Sequence, residues 1–345
     1  MIDKSHFEGW ITKKFGKKLY RVFFKGYSEK LWGLKCEELD SSFAIQRIKK
    51  FSFISAFIEL FSFMKMNKHA TTLDEFAYPH EGTGALYKRM AESILKHKGE
   101  ILFNTAVKKI LFEGQKVIGV ECSDGTKISA DFVISSMPIH YLLKSFDMIN
   151  PMLLKLSRKL KFRNTILVYL EVDDTDLFED NWLYIQSEDV MCGRITNFRN
   201  WHTSLNQKSD KSILCLEYWC HSEDSIWEET DNVLYARANT DIEKTKLFST
   251  KKILRYHVEK IPNSYPVYYK GYDEDIQLIK RALTSFENLL LIGRYGSYKY
   301  NNQDHSLLMG IMAAEKIISD PTIDLWNIHS DEVYDESYIQ DLRQS

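Results

Sequence analysis

The sequence has no excess of one charge, no metal-ligand cluster, no P-loop and no apolar run long enough to span a membrane. Each absence removes a class of function. Its 46 Lys and Arg against 48 Asp and Glu leave a formal charge of -2. That gives no field to draw a polyanion, and no basic stripe alternates with aromatics as single-strand binders require, so nucleic acid is excluded as a partner. Five scattered cysteines (Cys36, Cys122, Cys192, Cys215, Cys220) form no C-x-x-C, which excludes a zinc site and a redox pair of that kind. They read as reduced thiols of a cytoplasmic protein. The opening residues, MIDKSHFEGWITKK, are polar and mixed in charge and do not read as a secretory signal. The most apolar stretch, Phe51 to Met66, is shorter than the ~20 residues a span needs and carries Glu59. It reads as a buried or amphipathic helix, with peripheral membrane contact as the lesser alternative. No Ser-His-Asp signature and no H-E-x-x-H is found, and no metal is expected.

What is present is a soluble-type chain of 345 residues, 44% hydrophobic and 27% charged, long enough for two or three structural units. Residues 1–75 read as a helical segment: Phe7, Trp10, Ile11, Phe15, Leu19, Val22 and Phe23 recur at three- and four-residue steps, and Gly33 breaks the pattern. A second helix is expected through Ile45 and Ile48, with Ser41 or Ser42 at its start. Residues 76–140 form an α/β segment. Its helix lies between glycines, with Ala85, Leu86, Met90, Ile94 and Leu95 as apolar stripe, and three strand-like runs follow. Residues 141–284 read as a mostly antiparallel sheet with one polar helix near Asn232 to Phe248. In 285–320 the run NLLLI suits a parallel strand buried on both faces, followed by a helix with Asp304 or Ser306 at its start. Residues 321–345 read as an acidic tail.

The strand–turn–helix from Gly293 to Gly310, GRYGSYKYNNQDHSLLMG, carries the chemistry. A buried strand feeding a helix aims backbone N–H groups and the positive end of the helix dipole at one spot, which stabilises an anion. Gly293 and Gly296 allow close approach, and Arg294 suits a phosphate. The alternative is an ordinary junction with a surface arginine. The segment closely resembles the last FAD-contacting motif of the flavin-containing amine oxidase and protoporphyrinogen oxidase superfamily, in the branch that also resembles UDP-galactopyranose mutase. Three further blocks agree: FAYPHEGTGALYKRMAESILKHKGEILFNTAVKKI, ADFVISSMP and RVFFKGYSEKLWGLKCEELDSSFAIQRIKK. The resemblance implies FAD as cofactor, with Gly293 and Arg294 by the diphosphate. It sets Asp304, His305, Ser306 and Met309 by the flavin ring, Val107 at the adenine end, and Met137 and Pro138 on the strand returning to the cofactor. It implies an FAD-binding domain of glutathione-reductase type in α/β class, with an inserted α+β substrate domain. The activity implied is hydride transfer from an organic small molecule to flavin N5.

One departure stands out. The family begins with strand, G-x-G-x-x-G and a later acid, and nothing of the sort precedes Phe7. The near match GTGALY has Tyr87 where the third glycine belongs, so the domain is expected to be N-terminally incomplete. A separate polypeptide supplying that Rossmann unit, a truncated start, or a non-catalytic remnant are the alternatives. On the substrate side the resemblance to the mutases points to Arg255 and Tyr268, and the motif itself to Tyr298 and Tyr300. The run YPVYY reads equally as an edge strand with Pro266 in a permitted position. His305 reads as a cofactor contact or a cap, and His80 as a loop residue. No catalytic base is assigned. A flavin-dependent sugar-nucleotide mutase remains the rival activity.

Overall fold

The computed structural model describes residues 5–43, 78–201 and 209–328. The expectations for Phe51 to Met66 and for the helix through Ile45 and Ile48 lie outside those residues, as does the acidic tail from 329 on; the first part of that tail, 321–328, is described and buries Leu325 and Ile328. In chain order the principal elements are α1 (Phe7–Phe15), α2 (Gly26–Trp32), α3 (Gly84–Lys96), β1 (Val107–Glu113), β2 (Lys116–Cys122), β3 (Lys127–Ser129) and β4 (Val133–Ser135). Then come α4 (Ile139–Lys144), α5 (Pro151–Lys159), β5 (Phe162–Val172), β6 (Trp182–Tyr184), β7 (Arg194–Asn197), β8 (Ser212–Cys220) and α6 (Asp231–Thr245). β9 (Ile253–Pro266), α7 (Tyr272–Leu283), β10 (Leu289–Leu291) and α8 (Gln303–Ile318) complete the described chain. They fall into two compact units, residues 1–102 with 164–262 and residues 103–163 with 263–345.

The first unit is built on a five-stranded sheet of order β6-β7-β8-β5-β9. In β5 the side chains of Ile166, Val168, Leu170 and Val172 are fully buried, and those between them are half-buried. That is the period of two expected of a strand with one face in a core. They pair across to Tyr218, Leu216, Leu214 and Ser212 of β8 in antiparallel register. Onto this face α6 lays Leu234, Ala238 and Ile242, a four-residue spacing that puts all three on one side of the helix. The short strand β7 and the helices α4, α5 and α7 were not expected from the sequence, although Tyr272, Ile276, Ile279 and Leu283 of α7 recur at three- and four-residue steps and are buried.

The N-terminal helices belong to this unit. His6 caps α1 by accepting a hydrogen bond from the Gly9 N–H (3.1 Å), and Phe7 and Ile11 are buried. The expected stripe fails further on: Val22 and Phe23 are 52% and 58% exposed. Between Tyr20 and Lys25 the chain forms a π-helical turn, whose wider winding rotates later residues off the face that a three-to-four spacing tracks. The helical segment rejoins the sheet at α2, where the Lys30 ammonium donates to the carbonyls of Ile185 (3.0 Å), Ser187 (2.6 Å) and Cys192 (3.4 Å). Tyr27 packs edge-on against Trp219, ring centroids 5.6 Å apart. α3 differs from expectation in a second way. It forms between the predicted glycines, yet Leu86, Met90, Ile94 and Leu95 of its apolar stripe are all at least 40% exposed.

In the second unit β1, β2 and β3 form an antiparallel meander, while β4 and β10 pair in parallel. The strand-like run from Glu100 becomes regular only at Val107, and the run KISADFVISSMP splits into β3 and β4. Asn288 ties the layers together: its amide donates to the carbonyls of Val117 and Asp131 (2.6 Å each) and its carbonyl accepts from the Val117 N–H (2.8 Å). The three leucines of β10 are buried, as the apolar run predicts, and Leu290 shares a cluster with Met309 and Ala313 of α8. The parallel sheet has two strands among the described residues.

Candidate functional site

The carboxyl end of the β4–β10 pair is where the sequence concentrates its chemistry. As β10 ends, the Ile292 N–H donates to the Ser135 carbonyl (3.0 Å), and the chain turns at Gly293 with φ +72°. A side chain there is strained by the left-handed backbone. One helical turn later Gly296 lies on β4 so closely that an added Cβ would stand 2.6 Å from the Ser135 carbonyl oxygen. Both glycines are therefore required by geometry, one by its dihedral and one by contact. The turn is locked from within by the Ser297 N–H and hydroxyl, which both donate to the Gly293 carbonyl (3.1 and 2.6 Å).

Arg294 lies in this turn, and its guanidinium is already engaged. Nε donates to the Asn301 carbonyl (2.9 Å), Nη2 to the same carbonyl, and Nη1 to the Ser264 carbonyl (2.7 Å). It lies against the rings of Tyr265 and Tyr300, 4.9 and 5.2 Å from their centroids, and the two rings stack on each other at 5.4 Å. Tyr268 and Tyr298 are buried. The Tyr298 hydroxyl is shared between the carbonyls of Lys161 (2.8 Å) and Val267 (2.9 Å), and the Tyr268 hydroxyl accepts from the Tyr300 N–H (2.9 Å). Tyr298 also holds φ +50°, an outlier for a bulky residue that the surrounding contacts hold in place. These side chains brace the segment 293–301.

The helix α8 begins at Gln303, with Asn302 as its cap in place of the expected Asp304 or Ser306. Asn302 is preferred because it precedes the helical dihedrals while its side chain still reaches the His305 N–H, and the His305 ring answers the Asn302 N–H. His305 is thus buried as a capping residue. Its Nδ1, also 2.9 Å from Asp304, accepts from Asn302 when bare and donates to Asp304 when protonated. The Ser306 hydroxyl donates to the Asn302 carbonyl (3.1 Å), and Met309 is buried, its sulfur accepting from the Asn301 amide (3.2 Å). Val107 opens β1 opposite Cys122. Met137 and Pro138 are half-buried in the link from β4 to α4, with Pro138 preceding the first helical residue. Arg255 belongs to the first unit, where its Nε donates to Glu171 (2.6 Å) from an exposed position on β9.

Two residues here were not singled out from sequence. His140, at the start of α4, packs against Tyr141 (centroids 3.8 Å) and Phe162 (6.5 Å). Burial, with Lys144 adding to it, pushes its pKa below the usual histidine value. The other is Lys299, inside the motif. Its ammonium donates to the carbonyls of Trp326 and Ile328, and burial, with Lys280 adding to it, pushes it down to about 8. Neither announces itself, because a lone histidine or lysine carries no spacing signal. Between pH 8 and the unfolded value of 10.5 the unfolded chain holds a proton here that the folded chain lacks, so this group makes stability rise with pH. We expect a gain on the order of 2 kcal/mol from pH 8 to 10, absent in Lys299→Met, when urea midpoints are compared across that window.

A flavin suits this end of the sheet in two respects. The Ser135 hydroxyl is buried there without a hydrogen-bond partner, a group that a polar ligand edge satisfies, and the Cβ position of Gly293 meets only the Ser136 Cβ at 3.9 Å. The thiols offer no rival chemistry: all five are buried, and burial pushes Cys36 up to about 12. Among the described residues there is no metal-binding cluster and no helix long and apolar enough to cross a membrane.

The comparisons with known proteins set this fold of mixed helix and sheet among the flavin-dependent enzymes. Residues 4–318 match the family described as flavin containing amine oxidoreductase, and the chain belongs to that family. Solved structures share the fold at low identity. A reduced UDP-galactopyranose mutase aligns at TM-score 0.79 and 19% identity over 94% of this chain and 70% of its own. An oxidoreductase from Methanosarcina mazei aligns at 0.60 and 16% over 90% and 68%. A putrescine oxidase variant redesigned in cofactor binding aligns at 0.62 and 14% over 92% and 68%.

Proposed function

We propose that the protein is an FAD-dependent oxidoreductase acting on a small organic substrate, and that its activity is cytoplasmic. The observation that carries this reading is the turn at Gly293, placed by β10 beside the unpartnered Ser135 hydroxyl at the carboxyl end of two parallel strands. Open α/β sheets take their ligands at that end. When bound, FAD supplies the hydride acceptor, N5, and the organic chemistry is the cofactor's own. The chain's part is to admit it, orient it and stabilise charge. The Gly293–Gly296 turn presents backbone with no side chain in the way. α8 points its positive end towards the loop 297–302 that precedes it. Arg294 ties that loop, through the Asn301 carbonyl, to the Ser264 carbonyl of β9. His140, kept neutral by burial, is the group best suited to accept a proton near β4.

The test is the chromophore carried by the tagged protein when isolated from its own cells. A yellow preparation that releases FAD on acid denaturation is expected, together with loss of the colour in Gly293→Val. A colourless preparation, or FMN alone, would overturn the reading. The substrate screen then separates the rivals: amine-dependent reduction of the flavin supports an oxidase. Ring contraction of UDP-galactopyranose after dithionite, followed by NMR, would assign the mutase instead.

A further inference from the structure

Asn288 and Ile292 aim their backbone groups at β4: the Val133 N–H donates to the Asn288 carbonyl and the Ile292 N–H to the Ser135 carbonyl (3.0 Å each). Alternate residues of a strand face opposite edges, so the N–H and C=O of Leu289 and Leu291 point to the outer edge of β10. Among the described residues no strand pairs with that edge and no hydrogen bond reaches those groups. Both residues are nonetheless buried, at 3% and 2% exposure. Donors and acceptors so placed are nearly always paired. Beside them lies a cavity of 290 Å³, walled by Phe286, Ile323, Leu325 and Trp326. That is the volume of about ten waters at ~30 Å³ each, more than one or two bridging waters fill. The outer wall is held off the strand by its own bonds. The Lys316 ammonium donates to the carbonyls of Pro321 and Ile323, and the Asp324 carboxylate accepts from the Trp326 N–H (2.9 Å). The Lys299 ammonium donates to the carbonyls of Trp326 and Ile328.

We infer that this cavity takes a short extended peptide segment of a partner protein, laid along the outer edge of β10, with apolar side chains and one lysine or arginine. The backbone selects a peptide. Leu289 presents a donor and an acceptor, and Leu291 presents the same pair again, about 6.6 Å further along a parallel strand. An extended chain carries matching pairs at the same repeat, and pairing of this kind is how sheet edges take peptides. The walls, one phenyl, one indole and two aliphatic side chains, select apolar residues on the guest. The charge of the lining selects its cation: Glu287 and Asp324 are both acids, and the ammonium of Lys316 is already engaged with the wall. The site lies across β10 from β4, and its lining starts at Thr284, ahead of the strand's amino end. The Gly293 turn is at the other end of the strand, so the inference does not depend on the flavin reading.

A photoreactive phenylalanine analogue at position 323, introduced into the full chain in its own cells, identifies the guest. The expected product is a crosslink to a segment of another protein, located by mass spectrometry. That segment, synthesised as a peptide, should bind the purified full chain. Methylating the peptide nitrogens that face β10 should weaken binding about tenfold, the effect of leaving a buried hydrogen-bonding group unpaired. Methylating the alternate nitrogens should leave it within about twofold, since those face away from the strand. Exchanging the guest's cation for glutamate should weaken binding about threefold, as for a partly exposed ion pair. Leu291→Pro removes one outward N–H while leaving the bonds to β4, and should also weaken the unmodified peptide about tenfold. Circular dichroism reports the fold of that variant, and the methylated peptides carry the test on an unaltered protein. Equal binding of the two methylated forms would overturn the inference. So would a crosslink to a second copy of this chain, to another part of the same chain, or to nothing.

Discussion

Replacing Arg294 by alanine is expected to lower stability by about 3 kcal/mol or more and to release the flavin. The side chain makes charge-assisted hydrogen bonds to two backbone carbonyls, Asn301 and Ser264, and packs against two tyrosine rings. Hydrogen bonds to charged groups contribute about 1.5–3 kcal/mol each, and cation–π contacts about 0.5–1 kcal/mol at such partly exposed sites. Asn301 is buried, so the alanine variant leaves its carbonyl without that donor. The loop from Ser297 to Asn302 then loses the tie that sets the start of α8, and the cofactor surface follows. Arg294→Lys should recover less than half of the loss, because an ammonium cannot fork onto one carbonyl, reach a second and keep a flat face against the tyrosine rings. Urea denaturation of the three proteins, with flavin fluorescence recorded through each transition, measures both effects. Loss of flavin with no change in the urea midpoint would instead make Arg294 a ligand contact.

The two roles of this arginine show what the sequence could and could not convey. The pattern NLLLI–Gly293–Arg294 announced a buried strand, a turn and a cation, and all three are present. It did not convey which partner the cation takes, because Asn301 and Ser264 offer only backbone carbonyls, which carry no side-chain signal. The alternation in β5 and the spacing Leu234, Ala238, Ile242 in α6 were legible for the opposite reason: a one-sided core writes itself into residue type. The α3 stripe misled by the same rule, since periodicity records which face is apolar and not whether anything covers it, and Val22 and Phe23 misled because the π-helical turn takes them off that face. The cap of α8 was placed two residues late or more, because Asn302, Asp304 and Ser306 are all good caps and only the dihedrals choose among them.

The second large effect is expected far from that motif in sequence, at Arg194. Its guanidinium meets the Glu217 carboxylate in a two-point bond, Nε to Oε1 at 2.6 Å and Nη2 to Oε2 at 2.8 Å, between directly paired residues of β7 and β8. Glu217 is on the sheet face opposite the core, yet its side chain is only 8% exposed, whereas that of Arg194 is 30% exposed. The carboxylate is thus the partner that cannot return to water. Arg194→Ala is expected to destabilise by about 3 kcal/mol, because it leaves a buried charge without its counter-ion. Glu217→Leu should cost less, since the arginine can swing its head outward along its flexible stem. The pair Arg194→Met with Glu217→Leu should fall within about 1 kcal/mol of the parent, as apolar replacement of both partners removes the desolvation penalty together with the attraction. Urea midpoints for the parent, both single variants and the double variant close the cycle. Equal losses for the two single variants would sink this account, because it predicts that only the buried member of the pair is stranded.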